Sequence, residues 1–511
     1  MIWVRIRQVF SILVFLLFAL LFLLPERFIH SGLHGLVAFQ FVPALIRTLS
    51  EPEALFAAGV VFVLLITLCF GRVYCSFLCP LGTLQDILSR LSARMGARRT
   101  YRYRPPRNIL RYGLLAITAI SASAGAMTLI AALDPFSLTG RLFKHLVHPP
   151  LAWVYNTATG LLKPFDIYRH PLDTAFVPLS VAVFTGLFLA GVAYLAARHG
   201  RLYCNTLCPV GAFLGLLGRL SLFRLRLNPS GCRECARCED VCKAGCLDAR
   251  SASIDESRCV RCFNCLQACS KNTIRFRPVR RPGAGPVWSP SRRALIASLA
   301  AALTTGTAAI SFSLRQPLAA ATTPKTLPVT PPGSTGFAAF THLCTACSLC
   351  ISVCPTKVLT PSFMDYGPAG FLQPKMNYEK SFCDFECTLC GRVCPTGAIG
   401  NLAPEDKKLT KIGEAKLLDD LCVVYVDHNN CGACGEVCPT GAIRFVEKET
   451  ILYPEVDAKF CIGCGACELV CPTRPRSIVV DALAVHTRAE KNISPPTPKR
   501  PGGLPDEGFP F

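Results

Sequence analysis

Thirty cysteines, most of them in tight runs, carry the chemistry available to this chain. Cys232-x2-Cys235-x2-Cys238-x3-Cys242 is followed by Cys259-x2-Cys262-x2-Cys265-x3-Cys269. In such a run three close thiolates hold one iron–sulfur cubane, and the fourth cysteine reaches across to a second. On that rule Cys232, Cys235, Cys238 and Cys269 hold one [4Fe–4S] cluster, and Cys259, Cys262, Cys265 and Cys242 hold the other. Two full motifs at this spacing argue against zinc. Lys243 and Ser270 stand where the pattern carries proline, which affects the shielding and potential of the clusters more than their ligation. Cys246 is left over and reads as a small packed residue.

Four more motifs lie towards the C-terminus. They are Cys344-x2-Cys347-x2-Cys350-x3-Cys354-Pro355, Cys383-x3-Cys387-x2-Cys390-x3-Cys394-Pro395, Cys422-x8-Cys431-x2-Cys434-x3-Cys438-Pro439 and Cys461-x2-Cys464-x2-Cys467-x3-Cys471-Pro472. Their sixteen thiolates make four further [4Fe–4S] sites, about six in the whole chain. Cys-Pro-Thr-Gly-Ala-Ile occurs at 394–399 and again at 438–443, the mark of a duplicated unit. Short strands such as Val423–Val426 and Ser477–Val480 are expected to flank the cluster loops.

A different cysteine pattern is itself repeated. Gly71-Arg72-Val73-Tyr74-Cys75-Ser76-Phe77-Leu78-Cys79-Pro80-Leu81-Gly82 matches Gly200-Arg201-Leu202-Tyr203-Cys204-Asn205-Thr206-Leu207-Cys208-Pro209-Val210-Gly211. So close a repeat implies two equivalent helical hairpins related by a pseudo-twofold axis. Cys75, Cys79, Cys204 and Cys208 could then form one four-thiolate site for a further cluster or a copper ion, or a redox-active dithiol. The plainer alternative is paired structural cysteines at helix ends.

The elements that must position these motifs follow from composition. The chain is 51% hydrophobic, with mean hydropathy +0.39. Disulfide scaffolds are short and secreted, and no CxxC is followed by His as haem attachment would need. Residues 1–314 hold 35 Lys/Arg against 13 Asp/Glu, whereas 315–511 hold 19 against 20. A basic half suggests nucleic acid in general, but these arginines flank apolar segments, so membrane topology explains them better. Segments near 8–24, 54–70, 109–133, 177–197 and 294–314 are long and apolar enough to span a bilayer. Pro25-Glu26-Arg27 replaces a signal-peptide cleavage pattern, so the first reads as an anchor.

Between the second and third segments lie Arg72, Arg90, Arg94, Arg98, Arg99, Arg102, Arg104 and Arg107, opposed only by Asp86. The stretch 198–293 is similarly basic. Both are expected in the cytoplasm, with loops 25–53 and 134–176 and the C-terminal region outside. Ser291-Arg292-Arg293-Ala294-Leu295-Ile296 opens the fifth segment like a twin-arginine export signal, or as two ordinary cytoplasmic arginines before a helix. The expected fold is an α-helical membrane domain of four plus one helices, with α+β ferredoxin-like [4Fe–4S] domains on both sides of the membrane. The expected domains are a membrane domain at 1–222, a cytoplasmic two-cluster domain at 223–285, the fifth helix and a Pro/Thr/Ala-rich linker at 286–335, a periplasmic four-cluster domain at 336–485 and a disordered tail at 486–511.

The motif order resembles a known family across most of the chain. Residues 1–280 look like NapH, the membrane ferredoxin of periplasmic nitrate reduction, with two CxxxCP motifs before a two-cluster ferredoxin. Residues 291–485 resemble NapG, an exported four-cluster ferredoxin, and the wide Cys422-x8-Cys431 spacing tilts the match that way. The chain thus resembles a fusion of the two, its membrane half also similar to NosR and CcoG. The resemblance implies that the first exported motif shares clusters with the fourth, and the second with the third. Cys344, Cys347, Cys350 and Cys471 would form one set, and Cys461, Cys464, Cys467 and Cys354 another. Cys383, Cys387, Cys390 and Cys438 would form a third, and Cys422, Cys431, Cys434 and Cys394 a fourth. The sequence by itself equally permits pairing of neighbours.

No nucleophile–base set, phosphate loop or nucleotide fingerprint stands out. The resemblance implies a quinol dehydrogenase of a bacterial inner membrane, passing electrons from the quinone pool to a periplasmic reductase or cytochrome. Polar groups near helix ends that could serve a quinone are His30, His34, Asp134, Lys144, His145 and His148; each otherwise reads as a solvated or headgroup-facing loop residue. One difficulty stands out. The two cluster groups are expected on opposite sides of about 30 Å of hydrocarbon, and Cys69 is the only cysteine within a span. A bridging quinone, separate exchange with the pool, or a partner subunit carrying haem or flavin would each resolve it. Export of electrons from cytoplasmic ferredoxin, and copper reduction or handling at the CxxxCP pairs, are the competing functions.

Overall fold

The computed structural model describes residues 2–23, 33–96, 101–166, 168, 171–172, 175–232, 235–279, 327–448 and 450–492. The fifth apolar segment, its twin-arginine motif, His30 and the tail from 493 onward lie outside the described residues.

The first half is helical: α1 (Ile2–Leu23), α2 (Leu33–Ala38), α3 (Phe41–Ser50), α4 (Ala54–Phe70), α5 (Tyr74–Phe77), α6 (Pro80–Arg94), α7 (Asn108–Ser123), α8 (Thr128–Leu133), α9 (Pro135–Arg141), α10 (His148–Leu162), α11 (Leu179–His199), α12 (Leu202–Thr206) and α13 (Pro209–Gly218). A π-helical stretch, Leu142–Val147, joins α9 to α10. Among the described residues two helices, Trp3–Leu23 within α1 and α11, are long and apolar enough to cross a membrane, and α4 is a shorter apolar helix. Large apolar side chains stay exposed along these helices, among them Trp3, Leu13, Phe62, Leu65, Ile117 and Leu187. The third apolar segment, expected to run unbroken over 109–133, is instead broken between α7 and α8. Gly125 turns the chain there at φ 84°, and the His342 ring of the C-terminal half occupies the place where a Cβ would stand.

The repeat is visible in the fold. α4 and α11 each end on a glycine with positive φ, Gly71 at 78° and Gly200 at 66°, a conformation without steric penalty for glycine alone. A one-turn helix carrying the first cysteine follows. The second cysteine then caps a helix that opens on proline, Cys79 before α6 and Cys208 before α13, where the missing proline N–H costs no hydrogen bond. α6 packs on α11 and α13 on α4, so each hairpin leans on the other's long helix.

Residues 223–279 form the first ferredoxin unit, closed by antiparallel pairing of Phe223–Leu227 with Ile274–Pro278. Residues 327–492 form the second. Its antiparallel pairs are Leu359–Pro361 with Pro374–Met376, Thr410–Leu417 with Ile478–Arg488, and Ile443–Lys448 with Ile451–Val456. Three sequence expectations change here. Residues 327–335, read as linker, belong to the fold: Val329 is buried and accepts from Met376 N at 3.0 Å, and Gly333 accepts from Gly400 N at 2.8 Å. The strand starting at Ile478 runs to Arg488, past the expected start of the tail. Val423–Val426 is a helical turn rather than a strand. The eight-residue gap after Cys422 gives it room to close, with Val426 N on Cys422 O at 2.9 Å.

Candidate metal centres

The cluster loops are shaped by backbone that favours tight coiling. The residue after the second cysteine of the motif is left-handed at Ala236, Phe263, Ser348 and Gly465, and a short helix bearing the third cysteine starts there. In the first ferredoxin unit the Cys238 thiol feels Cys269 and Cys232, and that of Cys265 feels Cys262, Cys259, Cys242 and Cys238. Cys246 is buried with its sulfur 3.7 Å from that of Cys242. That contact, the largest influence on the Cys242 thiol, brings it down to about 6.

In the second ferredoxin unit the motifs pack by neighbours. The first motif packs against the second and the third against the fourth, rather than the first against the fourth. One small cavity is lined by Cys383, Cys387, Cys390 and Cys354, and another by Cys461, Cys464, Cys467 and Cys438. Cys350 lies near Cys344, Cys347, Cys394 and Cys390; Cys434 lies near Cys431 and Cys422 and shares its packed group with Cys471. Apolar cavities walled by four sulfurs suit cubane clusters. Each fourth cysteine also meets a hydroxyl two residues on: Cys354–Thr356 at 3.7 Å, Cys394–Thr396 at 3.7 Å, Cys438–Thr440 at 3.6 Å and Cys471–Thr473 at 3.2 Å. Sequence reasoning missed these threonines, although Cys-Pro-Thr recurs in all four motifs. Burial pushes the Cys471 thiol up, but Ser477 and Thr473 outweigh it and bring it down to about 7.

The CxxxCP cysteines converge. Cys75, Cys79, Cys204 and Cys208 are buried in one packed group with Tyr74, Tyr203, Leu138 and Val260. Each sulfur has an N–H donor: Arg72 Nη2 to Cys75 at 3.7 Å, Gln85 Nε2 to Cys204 at 3.3 Å, Gly211 N to Cys208 at 3.3 Å, and Gly82 N to Cys79. Arg72 Nε and Arg201 Nη2 are buried without hydrogen-bond partners. Four sulfurs met by N–H groups, beneath two buried guanidiniums, suit a thiolate centre of net negative charge. The side chains are not drawn into a finished ligand set: among the described residues no three His, Cys, Asp or Glu groups stand ready to hold a metal ion.

Ion pairs lock the first ferredoxin unit beneath this site. Asp86 is met by Arg7 at 2.7 Å, Arg201 at 3.1 Å and Lys243 at 3.1 Å. Burial raises the Asp86 carboxyl, but Arg201, Lys243 and Arg7 together outweigh it and hold it well below the usual range. Lys243, the departure from proline, thus ties the ferredoxin to the helices. Ser76 Oγ donates to Val260 O at 2.5 Å and Arg261 Nε to Phe70 O at 2.9 Å.

Four of the groups read as serving a quinone, or else as solvated loop residues, are not solvated. Asp134 is buried and caps α9 by accepting from Ser137 N at 2.8 Å. Lys144, His145 and His148 are buried rather than solvated, and His145 Nε2 lies 3.1 Å from Ser348 Oγ beside Cys347. The second ferredoxin unit covers them. His34 lies on α2.

A model for a 4Fe-4S binding domain matches residues 54–98 and 181–228, the two hairpins, and one for a 4Fe-4S dicluster domain matches 343–398 and 429–474. The protein YccM of Escherichia coli is 24% identical over 225 residues, 43% of this chain and 55% of its own length. The ferredoxin-type protein NapH of Haemophilus influenzae is 27% identical over 236 residues, 44% of this chain and 69% of its own. The methylamine utilization ferredoxin-type protein MauN of Paracoccus denitrificans is 31% identical over 173 residues, 34% of this chain and 48% of its own. The chain therefore spans about half of YccM and of MauN. No solved structure matches it significantly. The two cluster-binding models and the ferredoxin-type relatives together identify an iron–sulfur polyferredoxin similar to the NapH-type proteins.

Proposed function

We propose that this chain is a membrane-bound quinol dehydrogenase that carries electrons through a relay of [4Fe–4S] clusters to a reductase or cytochrome on the far side. In this reading the first ferredoxin unit is cytoplasmic and the second periplasmic. Apolar faces exposed along α1, α4, α7 and α11 support a bilayer setting. The six clusters take the twenty-four motif cysteines, with neighbours sharing fourth ligands in the second unit.

One observation carries the reading. Seven-residue α9 touches both sides of the missing connection: Leu138 packs among the CxxxCP cysteines, while Phe136 shares a core with Cys347. Gly140 admits the Cys347 carbonyl so closely that a Cβ would lie 2.3 Å from its oxygen. On the opposite flank Cys262 packs against the same CxxxCP group. A helix is about 10 Å across, so a redox centre held by Cys75, Cys79, Cys204 and Cys208 would divide the crossing into short electron transfers. That support favours a relay through the chain over separate exchange of each unit with the pool.

The test is anaerobic EPR of the protein in membranes, reduced with menaquinol and separately with dithionite, alongside iron quantitation. Reduction of part of the clusters by menaquinol supports the reading. Reduction by dithionite alone would put the clusters too low for quinol and favour a ferredoxin-fed exporter.

A further inference from the structure

A cavity of about 300 Å³ opens where α7 begins and α11 ends, on the flank of the first ferredoxin unit. Arg102, Arg104, Arg107, Arg258, His199 and Cys242 line it, and among the described residues no carboxylate does. Tyr101, Pro105, Pro106 and Leu202 add flat apolar wall. Arg258 is 5% exposed, and although it donates to Asp255 and to Arg104 O, its Nη2 is buried without a partner. Arg104 Nη2 donates to His199 Nδ1 at 2.8 Å. A guanidinium only donates, so Nδ1 holds the lone pair and Nε2 the hydrogen.

We propose that this cavity binds the quinol headgroup, so that electrons enter beside Cys242. The inference rests on the quinol reading above and names its site. The ends of two apolar helices frame the mouth, where a lipid-soluble ring arrives. Proline and tyrosine surface suits a flat ring better than a bare phosphate. Four guanidiniums favour the ionised hydroxyl, the form that loses electrons more readily. Oxidation turns both hydroxyls into carbonyls: two electrons leave one at a time, and two protons pass to water at the mouth. The cluster that Cys242 would help hold supplies the one-electron acceptor when bound. Arg258 Nη2 then holds the product carbonyl.

The experiment uses full-length, cluster-loaded protein in nanodiscs and the probe 2-heptyl-4-hydroxyquinoline N-oxide, its binding followed by fluorescence quenching. Pro106→Trp, which fills the cavity from its rim, and His199→Leu should each raise the probe Kd tenfold or more, with dithionite-reduced EPR spectra unchanged. A photoactivatable quinone on the wild-type protein should label peptides within 101–107 or 199–206. Wild-type probe affinity in both variants, labelling confined to other peptides, or displacement of the probe by phosphatidylglycerol but not by menaquinol would overturn the site. If menaquinol reduces the wild-type clusters while the variants behave as wild type, the site falls and the quinol reading stands. If menaquinol reduces none, the reading itself falls and takes the site with it.

Discussion

Arg201 donates from Nη1 to the carbonyl oxygen of Cys75 at 2.8 Å, tying the second CxxxCP hairpin to the first cysteine of the other. The bond is returned: Arg72 Nη2 donates to Cys204 O at 3.0 Å. Tyr74 and Tyr203, also equivalent in the repeat, point their hydroxyls to Gln40 and to Leu133 O. A pseudo-twofold axis therefore runs between the cysteine pairs, and two sequence copies build one site. The asymmetry sits in the second bond of each arginine. Arg72 takes neutral Asn205 at 2.6 Å, whereas Arg201 takes the carboxylate of Asp86.

This reciprocal clasp depends on glycine. A Cβ on Gly82 would lie 2.3 Å from Cys75 O and 2.4 Å from Arg201 Nη1, and one on Gly211 would lie 2.1 Å from Cys204 O. Gly82→Ala or Gly211→Ala should destabilise by about 1–3 kcal/mol through overpacking. Gly160 in α10 has nothing within 4 Å of its Cβ position, so Gly160→Ala should stabilise by about 0.5–1 kcal/mol. Thermal unfolding in detergent of the three variants checks the contrast.

Asp86→Asn should be far more damaging. It leaves Arg7, Arg201 and Lys243 buried without their shared carboxylate, and breaking a buried charge network from one side costs about 3–5 kcal/mol. Because the folded carboxyl titrates well below its unfolded value of about 3.9, its stabilisation is present above that value. It is lost only as pH falls through the folded pKa. Acidification from pH 7 to pH 5 should therefore leave the ferredoxin docked in the wild type. Limited proteolysis across 223–279 at each pH, in wild type and variant, is the measurement.

The parts of the molecule legible in sequence are those set by short-range chemistry. Cysteine spacing marks the cluster loops because three thiolates on one loop suit one cubane, and the close repeat around Cys75 and Cys204 announces paired hairpins. What spacing does not encode is which distant loop closes on which. The fourth ligands of the second unit, such as Cys438 beside Cys464 rather than beside Cys390, depend on strand pairing far along the chain. The burial of Lys144, His145 and His148 is illegible for a related reason. A polar loop beside a helix reads as solvated until another domain, here the segment around Ser348, is known to cover it. The break at Gly125 likewise follows from His342, more than two hundred residues away.

Hydroxyl donors to cluster sulfurs raise the reduction potential by stabilising the added electron. Thr440→Val removes the contact to Cys438 while keeping the side chain's shape. The potential of the cluster that Cys438 serves should drop on the order of tens of millivolts, with iron content unchanged. EPR-monitored redox titration reads the shift. Thr396→Val, beside Cys394, should instead move the cluster held by Cys344, Cys347 and Cys350.

Removal of single fourth ligands distinguishes the two pairings of the second unit. If neighbours share clusters, Cys438→Ser damages the site of Cys461, Cys464 and Cys467, whose cavity Cys438 helps to line. Pairing of the second motif with the third would place the damage at Cys383, Cys387 and Cys390 instead. Those cysteines line their cavity with Cys354, so Cys354→Ser should produce the damage that Cys438→Ser does not. A cubane left on three cysteines is lost more readily on oxidation than one on four, and its loss frees those three thiols. Thermolytic peptides labelled at freed thiols after mild oxidation locate the loop that has opened. Labelling at Cys464 in Cys438→Ser and at Cys387 in Cys354→Ser is the expected pattern; the reverse would restore the first-with-fourth arrangement.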